Sequence, residues 1–469
     1  MDIWIVIIFL GFLLFYGVFQ AFRVKGAGDF ATGGKQRGLF VVFASLSAAF
    51  IGGGFSTGNA AECYSYGVAN IIGLCGFSVA QIIIGGFILP RARIPEGAQS
   101  PGSLVGAAYG RAAQVTAGVC SILLSAGLIA AQVAAIGNIF SALLGVSYTA
   151  GVLIGFSIVI AYSVMGGMGA ILTAEVVEFC LLAIGIPLLA VGAAKYAGGL
   201  ENVLSSLPRS FLDPTSGGAA PLVTLFLTML VGEALSPSYL QRMLIGKDRK
   251  TMSRATVLSG LLSVPVFALT GFVGLAAVVS MPNIEPSQAM PAMVLAALPV
   301  GVKGLVITAM LAIVMSSADG LLSSASVAVA NDIIRPLSRR SPDEKMLLRI
   351  MRLTTAAVGA VGMAMALRSA DVFSLLVVAY SAWAPVMLVP IAAALLGVRA
   401  GNGAFLLAAL SGGAVAVFFG ASGQAGALAG TAVNLGVFLL ARNFSGGEVP
   451  SKRSQLVKRK KLDNLRQPR

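Results

Sequence analysis

Apolar runs of about 18 residues or more follow one another along almost the whole chain, and runs of that length predict helices that cross a lipid bilayer. Thirteen helices are read, at 3–22, 39–65, 69–90, 113–144, 149–165, 169–196, 219–244, 252–280, 300–330, 346–368, 371–396, 402–420 and 424–441. Two of them are interrupted. The second, "FVVFASLSAAFIGGGFSTGNAAECYSYG", carries Gly52, Gly53 and Gly54 at its centre, followed by Ser56, Thr57 and Asn59. Each glycine costs roughly 1 kcal/mol against alanine in a helix, so a break is expected there. The seventh, "LVTLFLTMLVGEALSPSYLQRMLIG", is interrupted by Gly232, Glu233, Ser236 and Pro237. Proline removes a helical hydrogen bond and crowds the preceding turn. The ninth is continuous but polar through its middle, in "VMSSADGLLSSAS" at 314–326. Polar and ionisable groups at membrane depth are expensive and face a cavity or a partner.

Composition agrees with a polytopic, all-α membrane protein: 57% of residues are hydrophobic, 11% are charged, and mean hydropathy is +0.91. The net charge of +14 raises a nucleic-acid partner, but the placement of the charges excludes one. Lys and Arg gather in alternate loops: Arg23 to Arg37, then Arg91 to Arg111, Arg242 to Arg254, and Arg335 to Lys345. That is the positive-inside pattern. It predicts an N-terminus outside and a cytoplasmic C-terminus in the cell (inner) membrane. The tail "SKRSQLVKRKK" reads as a contact with anionic lipid. The first run lacks a basic leader and a small-residue cleavage site, so it reads as a retained helix. The sequence has no histidine, no P-loop and no CxxC among its four cysteines. Histidine-based catalysis, ATP hydrolysis at a P-loop and a transition-metal site are therefore not expected, and neither is an enzyme.

The two interruptions begin corresponding halves, five helices apart. Such a pattern points to a secondary transporter with inverted repeats. Glycines that merely let helices approach closely are the competing explanation. The chain divides into an extra helix and loop (1–38), a first five-helix repeat (39–196), an external loop (197–218) and a second repeat (219–396). Two C-terminal helices (397–441) and a basic tail (442–469) follow.

Four segments, "SLSAAFIGGGFSTGNAAECYSYG", "AYSVMGGMGAILTAEVVEFCLL", "PSYLQRMLIGKDRKTMSRA" and "IVMSSADGLLSSASVAVANDIIRP", resemble the sodium:solute symporter family in order and spacing, over about residues 39–396. The resemblance implies a LeuT-like bundle of five plus five inverted helices, with one helix before and two after. It also implies Na⁺ as the coupling ion, held between the first and eighth core helices by the Ser316 and Ser317 hydroxyls and the carbonyls of Ile313, Phe50 and Gly53. Na⁺ is a hard cation that takes oxygen ligands, and unwound carbonyls and hydroxyls supply them. Back-bonding of the serines to the preceding turn is the alternative.

Some members bind a second sodium near an acid that corresponds to Glu175. Here Asp319 and Gly320 replace hydroxyls at that site, which makes a second sodium doubtful. A proton shared between Glu175 and Asp319, or simple hydration at the cytoplasmic end, are the other readings. The solute is expected beside the breaks, among Ser56, Thr57, Asn59, Gln81, Gln132, Glu233, Tyr380, Ser381 and Trp383. Glu233 either pairs with an amine on the solute or caps N–H groups freed by the break. The expected activity is Na⁺-coupled symport of a small organic solute, with an amine-bearing one favoured. A proton-coupled carrier, a channel and a solute sensor on the same scaffold stay open.

Overall fold

The computed structural model describes residues 1–34, 36–340, 342–368, 383–419 and 424–444. The main helices, numbered in chain order, are α1 (Asp2–Ala21), α2 (Leu39–Phe50), α3 (Gly54–Tyr66), α4 (Ala69–Arg91), α5 (Arg111–Leu144) and α6 (Tyr148–Tyr196). They continue with α7 (Ala219–Gly232), α8 (Pro237–Leu244), α9 (Arg249–Ser280), α10 (Val302–Leu337) and α11 (Glu344–Arg368), then α12 (Ala384–Leu395), α13 (Asn402–Phe418) and α14 (Gln424–Phe444). Among the described residues, eight helices are long and apolar enough to cross a membrane, or up to ten if each bent pair counts as one span.

The two expected interruptions are physical breaks. α2 and α3 meet at 59°, and α7 and α8 at 50°. The first break opens on Ile51, which leaves helical geometry (φ −95°, ψ 76°), and closes through a π-turn at Gly54–Gly58. The second contains Leu235 at φ +56°, a left-handed conformation that costs a non-glycine residue of order 1–3 kcal/mol. Leu235 is fully buried, so its surroundings hold it there. The two broken helices are also stitched at one end. Arg37 N–H donates to Ile245 O (3.0 Å) and Lys247 N–H to Arg37 O (3.1 Å).

The expected division between 149–165 and 169–196 falls inside α6, where Gly167 turns the chain (φ 54°, ψ −152°). Glycine alone adopts that conformation readily, and a Cβ here would also press on Phe30. Helix α10 lies at the centre, packed on α5, α6 and α11. Its most apolar window is 94% buried, against 28% for α1. That contrast separates a core helix from one whose other faces are left for lipid.

Candidate functional site

Backbone pairing in α2 stops with Ile51 N–H to Ser47 O (3.3 Å) and resumes with Phe55 and Ser56 N–H to Gly52 O (3.1 Å each). The carbonyls of Ala48, Ala49, Phe50 and Ile51 therefore accept no backbone N–H, as the last four carbonyls of any helix do. α10 lies across this end. The Ser316 Oγ sits 2.9 Å from both Ala48 O and Ile313 O. The Ser317 Oγ is 3.2 Å from Ala49 O and 3.5 Å from Ile313 O. Three carbonyl oxygens thus converge on two hydroxyls, a neutral, oxygen-rich locus at the helix break. Gly52 leaves room for it, because a Cβ there would stand 2.8 Å from Ser317 Oγ.

Of the expected carbonyls, these hydroxyls contact that of Ile313. The hydroxyls meet Ala48 and Ala49, not Phe50 and Gly53. The Gly53 carbonyl is already engaged by the Thr57 hydroxyl (2.8 Å), the Ser56 hydroxyl (3.4 Å) and Gly58 N–H (3.0 Å). The cause is the register of the break. The glycines mark where the helix cannot continue, while the unpaired carbonyls begin upstream of them.

A second polar cluster lies on the same helix. Asp319 and Glu175 are both fully buried, so they are not hydrated at a membrane end as one reading had it. Arg242 joins them. Its Nε donates to Glu175 Oε1 (2.8 Å), its Nη2 contacts the same oxygen, and Nη2 lies 3.6 Å from Asp319 Oδ1. Nη2 also reaches Ser316 O (3.3 Å), and Nη1 donates back to Ser238 O (2.9 Å). The Tyr162 hydroxyl donates to Asp319 Oδ2 (3.0 Å), and Ser45 Oγ donates to Glu175 Oε2. Gly320 makes the approach feasible, since a Cβ there would land on the guanidinium.

Arg242 was expected in a cytoplasmic basic loop, with Lys247 and Arg249; it is fully buried on the last turn of α8. Its position between Leu240 and Met243 was the available signal. Tyr162 and Ser45 were also missed, as was Glu178. Glu178 is buried three residues beyond Glu175, with neither carboxylate oxygen hydrogen-bonded among the described residues.

The expected solute residues separate into three groups. Ser56, Thr57 and Gln132 hold the break itself: Ser56 Oγ donates to Gly52 O (2.9 Å), and Gln132 Oε1 accepts from Gly53 N–H (3.2 Å). Asn59 is tied into the scaffold, donating to Phe267 O and Thr270 Oγ1 (2.8 Å each) and accepting from Asn70 (2.9 Å). Gln81 and Trp383 are buried with Gln81 Nε2 and Oε1 and Trp383 Nε1 unpartnered among the described residues. Glu233 lies at the end of α7, in contact with the Tyr239 side chain. Tyr380 and Ser381 lie outside the described residues.

Comparison with known proteins places the chain. The model of the "Sodium:solute symporter family" matches residues 30–412. The human "High affinity choline transporter 1" is 26% identical over 400 residues, covering 79% of this chain and 68% of that protein. The Bacillus subtilis "High-affinity proline transporter PutP" is 24% identical over 373 residues, covering 76% and 78%. A solved outward-open, substrate-bound Na⁺-coupled sialic acid symporter superposes with a TM-score of 0.86, at 17% identity, over 95% of this chain and 98% of that one. At that identity the likeness is one of fold, the LeuT-like bundle.

Proposed function

Because the chain belongs to the sodium:solute symporter family, and is on that ground a multi-pass membrane protein that couples solute movement to Na⁺, we propose that its coupling ion binds where α10 crosses the end of α2. The ligands are the Ser316 and Ser317 hydroxyls and the carbonyls of Ile313 and Ala48. Phe50 is retained as a further carbonyl ligand, because its oxygen accepts no backbone N–H; Gly53 is not. The observation that carries this reading is the convergence of unpaired carbonyls and hydroxyls with no formal charge among them. Neutral oxygens can replace the hydration shell of Na⁺ without holding the ion so tightly that it never leaves.

Sodium joining α2 to α10 fixes one arm of the first break, and Gln132, Ser56 and Thr57 hold the other. Solute bound beside the breaks then meets a site that the ion has organised. By linkage, solute raises Na⁺ affinity by the same factor. The Arg242 guanidinium is the cation that Glu175 and Asp319 hold, which supports one sodium per cycle rather than two and speaks against a proton shared by the two acids. The basic loops support a cytoplasmic C-terminus in the cell (inner) membrane.

The test is the melting temperature of the purified chain in NaCl against KCl. A ligand that binds only the folded state adds RT ln(1 + [L]/Kd), about 2.7 kcal/mol at a hundredfold excess over Kd. The expected result is a rise specific to Na⁺ in the wild type and none in Ser317→Ala. Equal melting in both salts for the wild type contradicts the assignment.

A further inference from the structure

The two breaks meet across a cluster of rings. Phe77 on α4 lies 5.1 Å (centroid to centroid) from Phe50, 5.1 Å from Phe55 and 5.9 Å from Tyr239. Phe50 and Tyr239 stand 4.7 Å apart at 76°. Rings from both broken helices thus share one centre, immediately beyond the Ala48 and Ala49 carbonyls.

Three polar groups border it, two tied to a ring by their spacing in the chain and one by direct contact. Gln81 is four residues from Phe77, one turn along the same face of α4. Its side chain is fully buried, and neither amide atom has a hydrogen-bond partner among the described residues. Ser236 is three residues before Tyr239. It stands at the N-cap of α8, where serine ordinarily accepts a backbone N–H, yet its hydroxyl makes no cap and is unpartnered at 1% exposure. Glu233 contributes a carboxylate in contact with Tyr239. The nearest guanidinium, that of Arg242, is committed to Glu175 and Asp319.

Among the described residues, such a site has aromatic faces, one carboxylate and no basic side chain besides the committed Arg242. It repels an anionic solute. It offers a sugar too few hydrogen bonds for its hydroxyls. It attracts a cation, through the ring quadrupoles and through the carboxylate. Buried, unpartnered Gln81 and Ser236 call for a ligand that supplies hydrogen bonds, because leaving such groups unpaired is costly.

We propose that the solute is a small organic ammonium compound carrying a hydroxyl or carboxyl group. The ammonium lies against Phe50, Phe77, Tyr239 and Glu233, and its polar end meets Gln81 and Ser236. This rests on the symporter reading above and names the solute class for it. It also gives a route for coupling, since sodium at Ala48 fixes the helix end that presents Phe50.

The experiment uses the full chain purified in detergent and melted in NaCl or KCl; an organic amine is avoided as the reference cation. The probes, at about 10 mM, are choline, tetramethylammonium, and 3,3-dimethylbutan-1-ol, the uncharged carbon analogue of choline. Glucose and lactate serve as competitors of other classes. In NaCl, choline raises the melting temperature and its uncharged analogue does not. Glu233→Gln abolishes the choline shift while keeping the Na⁺ shift. Should Glu233→Gln fail to fold, Gln81→Ala decides: it weakens choline by about tenfold while leaving tetramethylammonium little changed. A shift by glucose, lactate or the uncharged analogue equal to that of choline overturns the proposal, as does the absence of a shift with every ammonium probe. If the Na⁺ shift survives in that case, the solute assignment alone falls. If the Na⁺ shift is absent as well, the symporter site falls with it.

Discussion

Two polar sites sit on α10, three residues apart, and they are built on opposite plans. At Ser316 and Ser317 every oxygen is neutral, and three carbonyls face two hydroxyls. At Asp319 two buried carboxylates face a guanidinium tethered to α8. The first plan leaves an appetite for a cation and nothing covalent to satisfy it. The second satisfies the same appetite permanently. Charge alone therefore misleads as a guide to the ion site in this protein. The carboxylates drew attention as a site for a second ion or a proton, and the proposal above puts the exchangeable ion at the neutral oxygens instead. The two plans also touch, through Arg242 Nη2 and the Ser316 carbonyl (3.3 Å), so the tethered cation holds α8 against α10.

The largest expected effect comes from breaking the tethered plan. Arg242→Met strands Glu175 and Asp319 without a counter-charge, and loss of one partner from a buried pair costs about 3–5 kcal/mol. The melting temperature should fall steeply whichever salt is present. A variant that melts like the wild type would mean that the pair is not what holds α8. Gly320→Ala presses a methyl group into the guanidinium. Overpacking of that kind costs about 1–3 kcal/mol, again independently of sodium, as a denaturation series in KCl should record.

Ser317→Ala acts on the other plan and should leave the fold standing. Its signature is a Na⁺ affinity lower by about a hundredfold or more, near 2.8 kcal/mol, which all but erases the rise in a titration of melting temperature against NaCl. An equal loss of stability in KCl would mean that the hydroxyl is structural.

The smallest effect is a control outside both sites. Hydrogen bonds from Thr251 hold the exposed N-cap Asp248 below the usual carboxylate range. A depressed value means that its contribution is present above the unfolded value, near 3.9, and is lost as the pH falls through the folded one. Asp248→Asn should therefore lower melting slightly at neutral pH, converge on the wild type as the pH falls below about 4, and leave the Na⁺ shift unchanged.

Much of this arrangement was legible in the sequence because its cause is local. Glycines at 52–54 and proline at 237 announce breaks by what they do to their own helices, and serines inside an apolar run announce a polar face. The contacts of Ser316 and Ser317 with Ala48 and Ala49 were not legible, because the orphaned carbonyls of a helix end lie up to four residues before the residue that stops it. Ala48 and Ala49 carry nothing in their side chains to mark them. Arg242 was misread for a different reason. It stands at the edge of a basic loop, and its partner Glu175 is 67 residues away in the chain. Only the packing of α8 against α6 and α10 turns a loop charge into a buried one.

The central claim is that one exchangeable cation binds at the neutral oxygens while the charged site is already filled. Equilibrium binding of radiolabelled Na⁺ to the purified chain tests it most directly, with the wild type beside Ser317→Ala. The account predicts a single Na⁺ per chain, displaced by unlabelled Na⁺ but not by K⁺, and lost in Ser317→Ala. Two ions per chain, or one that survives in Ser317→Ala, would contradict it.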